Sequence, residues 1–90
     1  MSGRIITLRV DGTVHSIDVP KKRPGLELLQ REVGGYIEPV KVRWEGRLRE
    51  AYVDEDGFAK RLSVNPRSSS IDQWGRELLG PIVIWIPTKS

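Results

Sequence analysis

Apolar side chains at Ile6, Leu8 and Val10 alternate with Thr7 and Arg9, and a second run returns from Val14 to Val19 after Asp11-Gly12. A period of two marks a half-buried strand, and Asp-Gly is favoured in a two-residue type I′ turn, so the pattern predicts a β-hairpin. Such a turn pairs Val10 with Thr13, Leu8 with His15 and Ile6 with Ile17, which gathers Ile6, Leu8, Val10, His15, Ile17 and Val19 on the core side. Pro20 closes the second strand, and Lys21, Lys22 and Arg23 form a basic connection. The spacing then changes. Leu26, Leu29 and Val33 recur at three and four, with Leu28 widening the stripe, which predicts a helix over 25–33 stopped by Gly34-Gly35.

The period returns to two from Tyr36 to Trp44, with Val40, Val42 and Trp44 on one face and Lys41 and Arg43 on the other. Pro39 supplies no ladder donor, so this strand lies at an edge or carries a bulge; Glu38 falls on the apolar parity unless such a bulge turns it outward. For the run Leu48 to Val53, a three-residue turn through Glu45 and Gly46 is expected, because a two-residue turn would set Arg47 and Arg49 beside Trp44 and Val42. Asp54-Glu55-Asp56-Gly57 reads as a type I turn closed by glycine and leads into a strand from Phe58 to Val64. The inner face of the resulting three-stranded meander holds Val40, Val42, Trp44, Leu48, Tyr52, Phe58, Leu62 and Val64. Its outer face holds Lys41, Arg43, Arg49, Ala51, Arg61 and Ser63.

Asn65-Pro66 has the residues of a helix start, and Ile71, Trp74 and Leu78 follow at helical spacing with Gly75 as an interruption. Ile82 to Ile86 is apolar throughout, between Gly80-Pro81 and Pro87, as a strand buried on both faces at the centre of a sheet would be. The expected architecture is a single α+β domain over residues 1–90: N-terminal β-hairpin, helix, three-stranded antiparallel meander, short second helix and C-terminal buried strand.

Composition narrows the chemistry. The chain has no cysteine and one histidine, which excludes disulfides, thiolate nucleophiles and the usual nitrogen and sulfur metal sites; neither a metal nor a cofactor is expected. No run approaches the roughly 20 apolar residues that span a bilayer, and the first residues lack a signal peptide's apolar core, so a cytoplasmic location without membrane contact is expected. The formal net charge of +3 is mild, and its excess is local to Lys41, Arg43, Arg47 and Arg49.

Asp54-Glu55-Asp56-Gly57 resembles the opening of a calcium loop, but Asn65 stands where the twelfth-position glutamate belongs, and a structural turn is the expectation. His15, Asp18 and the serines lack the mutual geometry of a nucleophilic triad, since neighbouring strand positions face opposite ways. Gly35, Tyr36 and Glu38 form a corner with two readings: a helix stop followed by an inner charge satisfied by a partner such as Arg67, or a contact point for a ligand. Lys41, Arg43, Arg49 and Arg61 on the outer sheet face, with Arg47 at the hairpin tip, form the other candidate surface, because several cations on one face attract phosphates. Asn65 and Arg67 complete the candidate contact residues. Without an exposed aromatic among the cations, base stacking is not expected.

The segments VGGYIE (Val33 to Glu38), VDEDG (Val53 to Gly57), VNPR (Val64 to Arg67) and LGPIVI (Leu79 to Ile84) occur in an order that resembles a family of small domains of unassigned function, carried mainly by phages, prophages, plasmids and their bacterial hosts. The resemblance runs from about Leu26 to Ile86 and departs at the charged hairpin Arg43 to Glu50. It implies an α+β fold and an accessory role in a mobile element, and it brings no catalytic residues. The expected function is non-enzymatic: docking on a host protein or sequestering a small anionic ligand, with nucleic-acid binding by the basic face as the alternative. Self-association through Ile82 to Ile86 or the Pro39 edge is a further expectation.

Overall fold

A computed structural model describes residues 2–88. The strands are β1 (Gly3–Leu8), β2 (Val14–Val19), β3 (Ile37–Trp44), β4 (Arg47–Asp54) and β5 (Ile82–Pro87), with a helix α1 (Leu26–Val33) and a single helical turn α2 (Ser68–Ile71). All neighbouring strands are antiparallel and the sheet order is β2-β1-β5-β4-β3. The last strand is therefore central, as its unbroken apolar run predicts. Its two faces enter two cores. Val83 and Trp85 join Ile5, Val19 and Tyr52 beneath Leu29 and Val33 of α1. Ile82, Ile84 and Ile86 join Ile6, Leu8, Val40, Val42, Ala51 and Val53 on the opposite side, where Ile71 and Leu78 close over them. Gly34, at φ +91°, ends α1 in the left-handed conformation.

Both hairpins differ from expectation by one residue of register. In the first, Leu8 faces Val14 and Ile5 faces Ile17. Arg9 N–H donates to Thr13 O across a three-residue loop whose last residue, Gly12, sits at φ +90°. The shift sends Ile17 and Val19 to the face of Ile5 and leaves His15 exposed and Val10 in the turn. In the second, Trp44 faces Arg47 across a two-residue turn with Glu45 at φ +54° and Gly46 at φ +78°. The rejected arrangement is thus the one formed. Arg47 and Arg49 do lie on the face of Trp44 and Val42, but at an open end of the sheet where Arg47 remains exposed and Arg49 half-buried.

No third meander strand follows β4, because both of its edges are taken, by β3 and β5. The Asp54 carboxylate accepts from the Asp56 amide and from Lys60 Nζ, and residues 55–61 curl into hydrogen-bonded turns that leave Phe58 89% exposed. Leu48 and Val64, expected inside, are also exposed. Gly35 lies under this turn, where an added Cβ would meet Lys60 Nζ and Asp54 Oδ2. The expected second helix is one turn long, since the Asp72 carboxylate takes the Trp74 and Arg76 amides and Gly75 sits at φ +73°. Ile82 to Ile86 offers no free edge for pairing between copies, because β5 already has a strand on each side.

The non-helical cover over the second core is fastened by Asn65, which is 1% exposed. Its Nδ2 donates to Leu8 O and Gly80 O, both at 2.9 Å, and its Oδ1 accepts from the Arg67 amide. Its backbone carbonyl accepts from Ser68 Oγ at 2.7 Å. The polar side chain read as a helix cap thus ties the cover to the end of β1 and the approach to β5. Asn65→Ala strands two carbonyls away from water and is expected to cost about 2–3 kcal/mol. Asn65→Asp sets a carboxylate against those carbonyl oxygens and is expected to cost more, both read by chemical denaturation at pH 7.

Candidate docking cleft at the β3 edge

Alternation along β3 and β4 decides which side chains meet. Lys41 faces Glu50 and Pro39 faces Tyr52, all on the α1 side of the sheet. Lys41 also accepts through its main-chain oxygen a hydrogen bond of 3.1 Å from the Gln73 amide, so the segment after α2 runs along the outer edge of β3. Between this segment and the face of β4 lies an open cleft of about 470 Å³ lined by Arg23, Pro39, Lys41, Glu50, Tyr52 and Trp74, with Arg76 at its margin.

One wall is a carboxylate held by two donors. Glu50 Oε2 accepts from Arg23 Nη2 at 2.6 Å and from Tyr52 Oη at 3.1 Å. Arg23 holds the Glu50 carboxyl below the usual carboxylate range, against the opposing effect of burial. Burial, reinforced by the negative charge of Glu50, pushes the Tyr52 phenol up. At neutral pH Glu50 is ionised and Tyr52 retains its proton, so the pair is a fixed dipole rather than a proton-transfer couple.

The other wall is a loop wound around Asp72. Its side chain is 0% exposed, and the carboxylate accepts from the Trp74 amide, the Arg76 amide, Arg76 Nε and Arg76 Nη2 at 2.9–3.0 Å. The Arg76 guanidinium lies 4.8 Å from the centre of the Trp74 ring, a cation–π contact. Trp74 is nevertheless 72% exposed. A large aromatic held outward by a saturated polar clamp is a pre-organised contact: the side chain loses little freedom when a partner covers it.

Few of the residues singled out by sequence converge here. Lys41 enters the cleft. Arg43 shares its face, whereas Arg47 and Arg49 point to the opposite side, and Arg61 lies in the 55–61 turn at φ +58°. The single basic surface therefore does not form, because the hairpin register divides it. Glu38 is exposed rather than enclosed; its negative charge acts on Arg76, and no ion pair joins it to Arg67 among the described residues. Tyr36 is exposed on the side of the 55–61 turn, its carbonyl accepting from the Glu55 amide, while Gly35 and Asn65 are packing positions. Trp74, Arg76, Arg23, Glu50 and Tyr52 were not singled out. The available signal was Asp72 four residues before Arg76 with Gly75 between them, an ion-pair spacing interrupted where a helix should continue. Comparison with protein families, curated proteins and solved structures finds no match.

Two buried aspartates make the fold acid-sensitive. Arg76 holds Asp72 below the usual carboxylate range against the effect of burial; for Asp54 the upward push of burial is the largest influence but is outweighed by Lys60 and the Asp56 amide. A folded-state value below the unfolded one adds stability that is complete above the unfolded value, about 3.9, and is lost as pH falls through the lowered one. Unfolding free energy is expected to be flat from neutral pH to about 5 and to drop below about 4. Asp72→Asn is expected to lower stability at pH 7 and flatten this acid limb, as measured by urea titrations across pH.

Proposed function

We propose that this chain is a non-enzymatic binding module of the accessory kind carried by phages and other mobile elements, and that it docks on a host protein through the cleft at the β3 edge. The observation that carries this reading is Trp74, exposed yet fixed by the Asp72–Arg76 clamp beside Pro39, Val40 and Tyr52. Tryptophan and arginine set over an apolar floor are the residue types that dominate protein–protein contacts. The resemblance in the VGGYIE, VDEDG, VNPR and LGPIVI segments supports the mobile-element role. Capture of a small anion is less favoured, because Arg23 and Arg76 already face Glu50 and Asp72. Nucleic-acid binding loses its one-sided basic face.

The test is affinity capture from a bacterial lysate, with and without nuclease, using the wild-type chain and Trp74→Ala. A nuclease-resistant protein partner is expected, with recovery reduced at least about tenfold by Trp74→Ala and an unchanged melting temperature, since the removed ring is largely exposed. Capture that vanishes on nuclease treatment, or that is indifferent to Trp74, contradicts the reading.

A further inference from the structure

The two margins of the sheet are unlike. At β3, Pro39 has no N–H and the Gln73 amide already occupies the Lys41 carbonyl, so that edge is closed to another strand. β2 forms the other margin and has a strand, β1, on one side only. Its six residues contain no proline and no lysine, and their register against β1 runs without a bulge. The usual devices that blunt an exposed edge are therefore missing from β2.

Backbone direction fixes which of its groups are free. The Arg9 amide donates to the Thr13 carbonyl on the β2 side of β1, and the Thr88 amide donates to the Ser2 carbonyl on the β5 side. Main-chain groups alternate along a strand, so His15, Ile17 and Val19 turn theirs toward β1, whereas Val14, Ser16 and Asp18 turn theirs outward. Among the described residues no hydrogen bond engages those outward groups. Neither layer shields them. The helix α1 packs over β3, β4 and β5, and Val14, Ser16 and Asp18 are all exposed, Val14 at 50%.

We propose that this edge pairs antiparallel with the same edge of a second copy of the chain, about a two-fold axis at Ser16, giving one continuous ten-stranded sheet. The edge is complementary to itself. In an antiparallel pair related by such an axis, the residue at the axis faces its own counterpart. Centred on Ser16, the pairing sets Val14 opposite Asp18 of the second copy and Asp18 opposite its Val14, so all three outward residues of each chain gain partners. The residue that must face itself is then small and uncharged, and the one carboxylate of the strand meets an apolar side chain rather than its own image. Neighbouring registers lose pairs: an axis at Ile17 sets Val14 against Pro20, which has no N–H, and an axis at His15 sets Asp18 against Gly12 in the turn. Because β2 and β3 lie at opposite margins, the dimer carries its two Trp74 clefts at the two ends of the joined sheet, and the pairing does not depend on what those clefts bind.

The experiment is sedimentation equilibrium and amide exchange on the full chain over a micromolar to millimolar concentration series. A monomer–dimer equilibrium is expected, with exchange at Val14, Ser16 and Asp18 slowing as concentration rises while His15 and Ile17 stay slow throughout. Ser16→Pro removes an outward N–H and no bond to β1, and is expected to raise the dimer dissociation constant at least about tenfold. Ser16→Lys and Ser16→Glu, each setting like charges across the axis, are expected to remain monomeric alone and to associate when mixed. The chain has no cysteine, so Ser16→Cys is expected to cross-link on mild oxidation at least about tenfold faster than Asp18→Cys, whose counterpart lies beyond disulfide reach. A chain that stays monomeric at millimolar concentration, a dimer indifferent to Ser16→Pro, or equal cross-linking at the two positions overturns the proposal. So does a monomer that loses a protein captured from lysate on Ser16→Pro, which assigns the edge to a foreign strand.

Discussion

The structure depends on covering a central strand that is apolar on both faces. Ile82 to Ile86 lies at the middle of the sheet with all five residues buried, so neither face can meet water. Burying such side chains is worth about 1.5–3 kcal/mol each, but only if both layers exist. A single eight-residue helix covers one face. The other is covered by the chain after β4, of which only Ser68–Ile71 is helical. Irregular backbone near a core leaves polar groups that no repeating ladder satisfies, which is why Asn65, Ser68 and Asp72 are buried there and bonded to main chain.

This solution also builds the binding surface. Regular helix through Trp74 would have turned the ring toward the core, as its spacing from Ile71 and Leu78 suggests. The Asp72 carboxylate instead draws the next amides onto itself and Gly75 reverses the chain, leaving Trp74 outward with Arg76 beside it. The bonds that hold the cover down are the ones that hold the aromatic out. Stability and recognition therefore share Asp72, and a change there acts on both.

Element types were legible because period is a local property: β1, β2, α1, β3, β4 and the central β5 all follow from it. Registers were not, because a turn of one residue more or less reverses every face. Asp11-Gly12 satisfies a two-residue or a three-residue loop, and the adjacent Ile5 and Ile6 give the first strand an apolar residue for either core. At Glu45-Gly46 the argument from charge burial failed because the β3–β4 end is open, which leaves Arg47 exposed. The missing third meander strand was invisible for another reason: whether β4 has a free edge depends on where β5 inserts, a long-range fact that Phe58 to Val64 do not contain. Misplaced registers carried the basic surface with them, and Trp74 was lost because an ideal helical spacing hid an exposed ring.

Two prolines illustrate how a missing donor acquires meaning from direction. Pro39 points away from β4, as Lys41 does, so its absent N–H faces the outside of the sheet, where together with the Gln73–Lys41 bond it discourages another strand from adding to that edge. Pro87 points inward toward β4 with no N–H to offer, and the Thr88 amide beyond it donates to Ser2 O beside β1, so β5 ends fastened to β1. The closed margin carries Trp74, so the edge that Pro39 and Gln73 protect from further strand pairing is the one that presents the exposed aromatic.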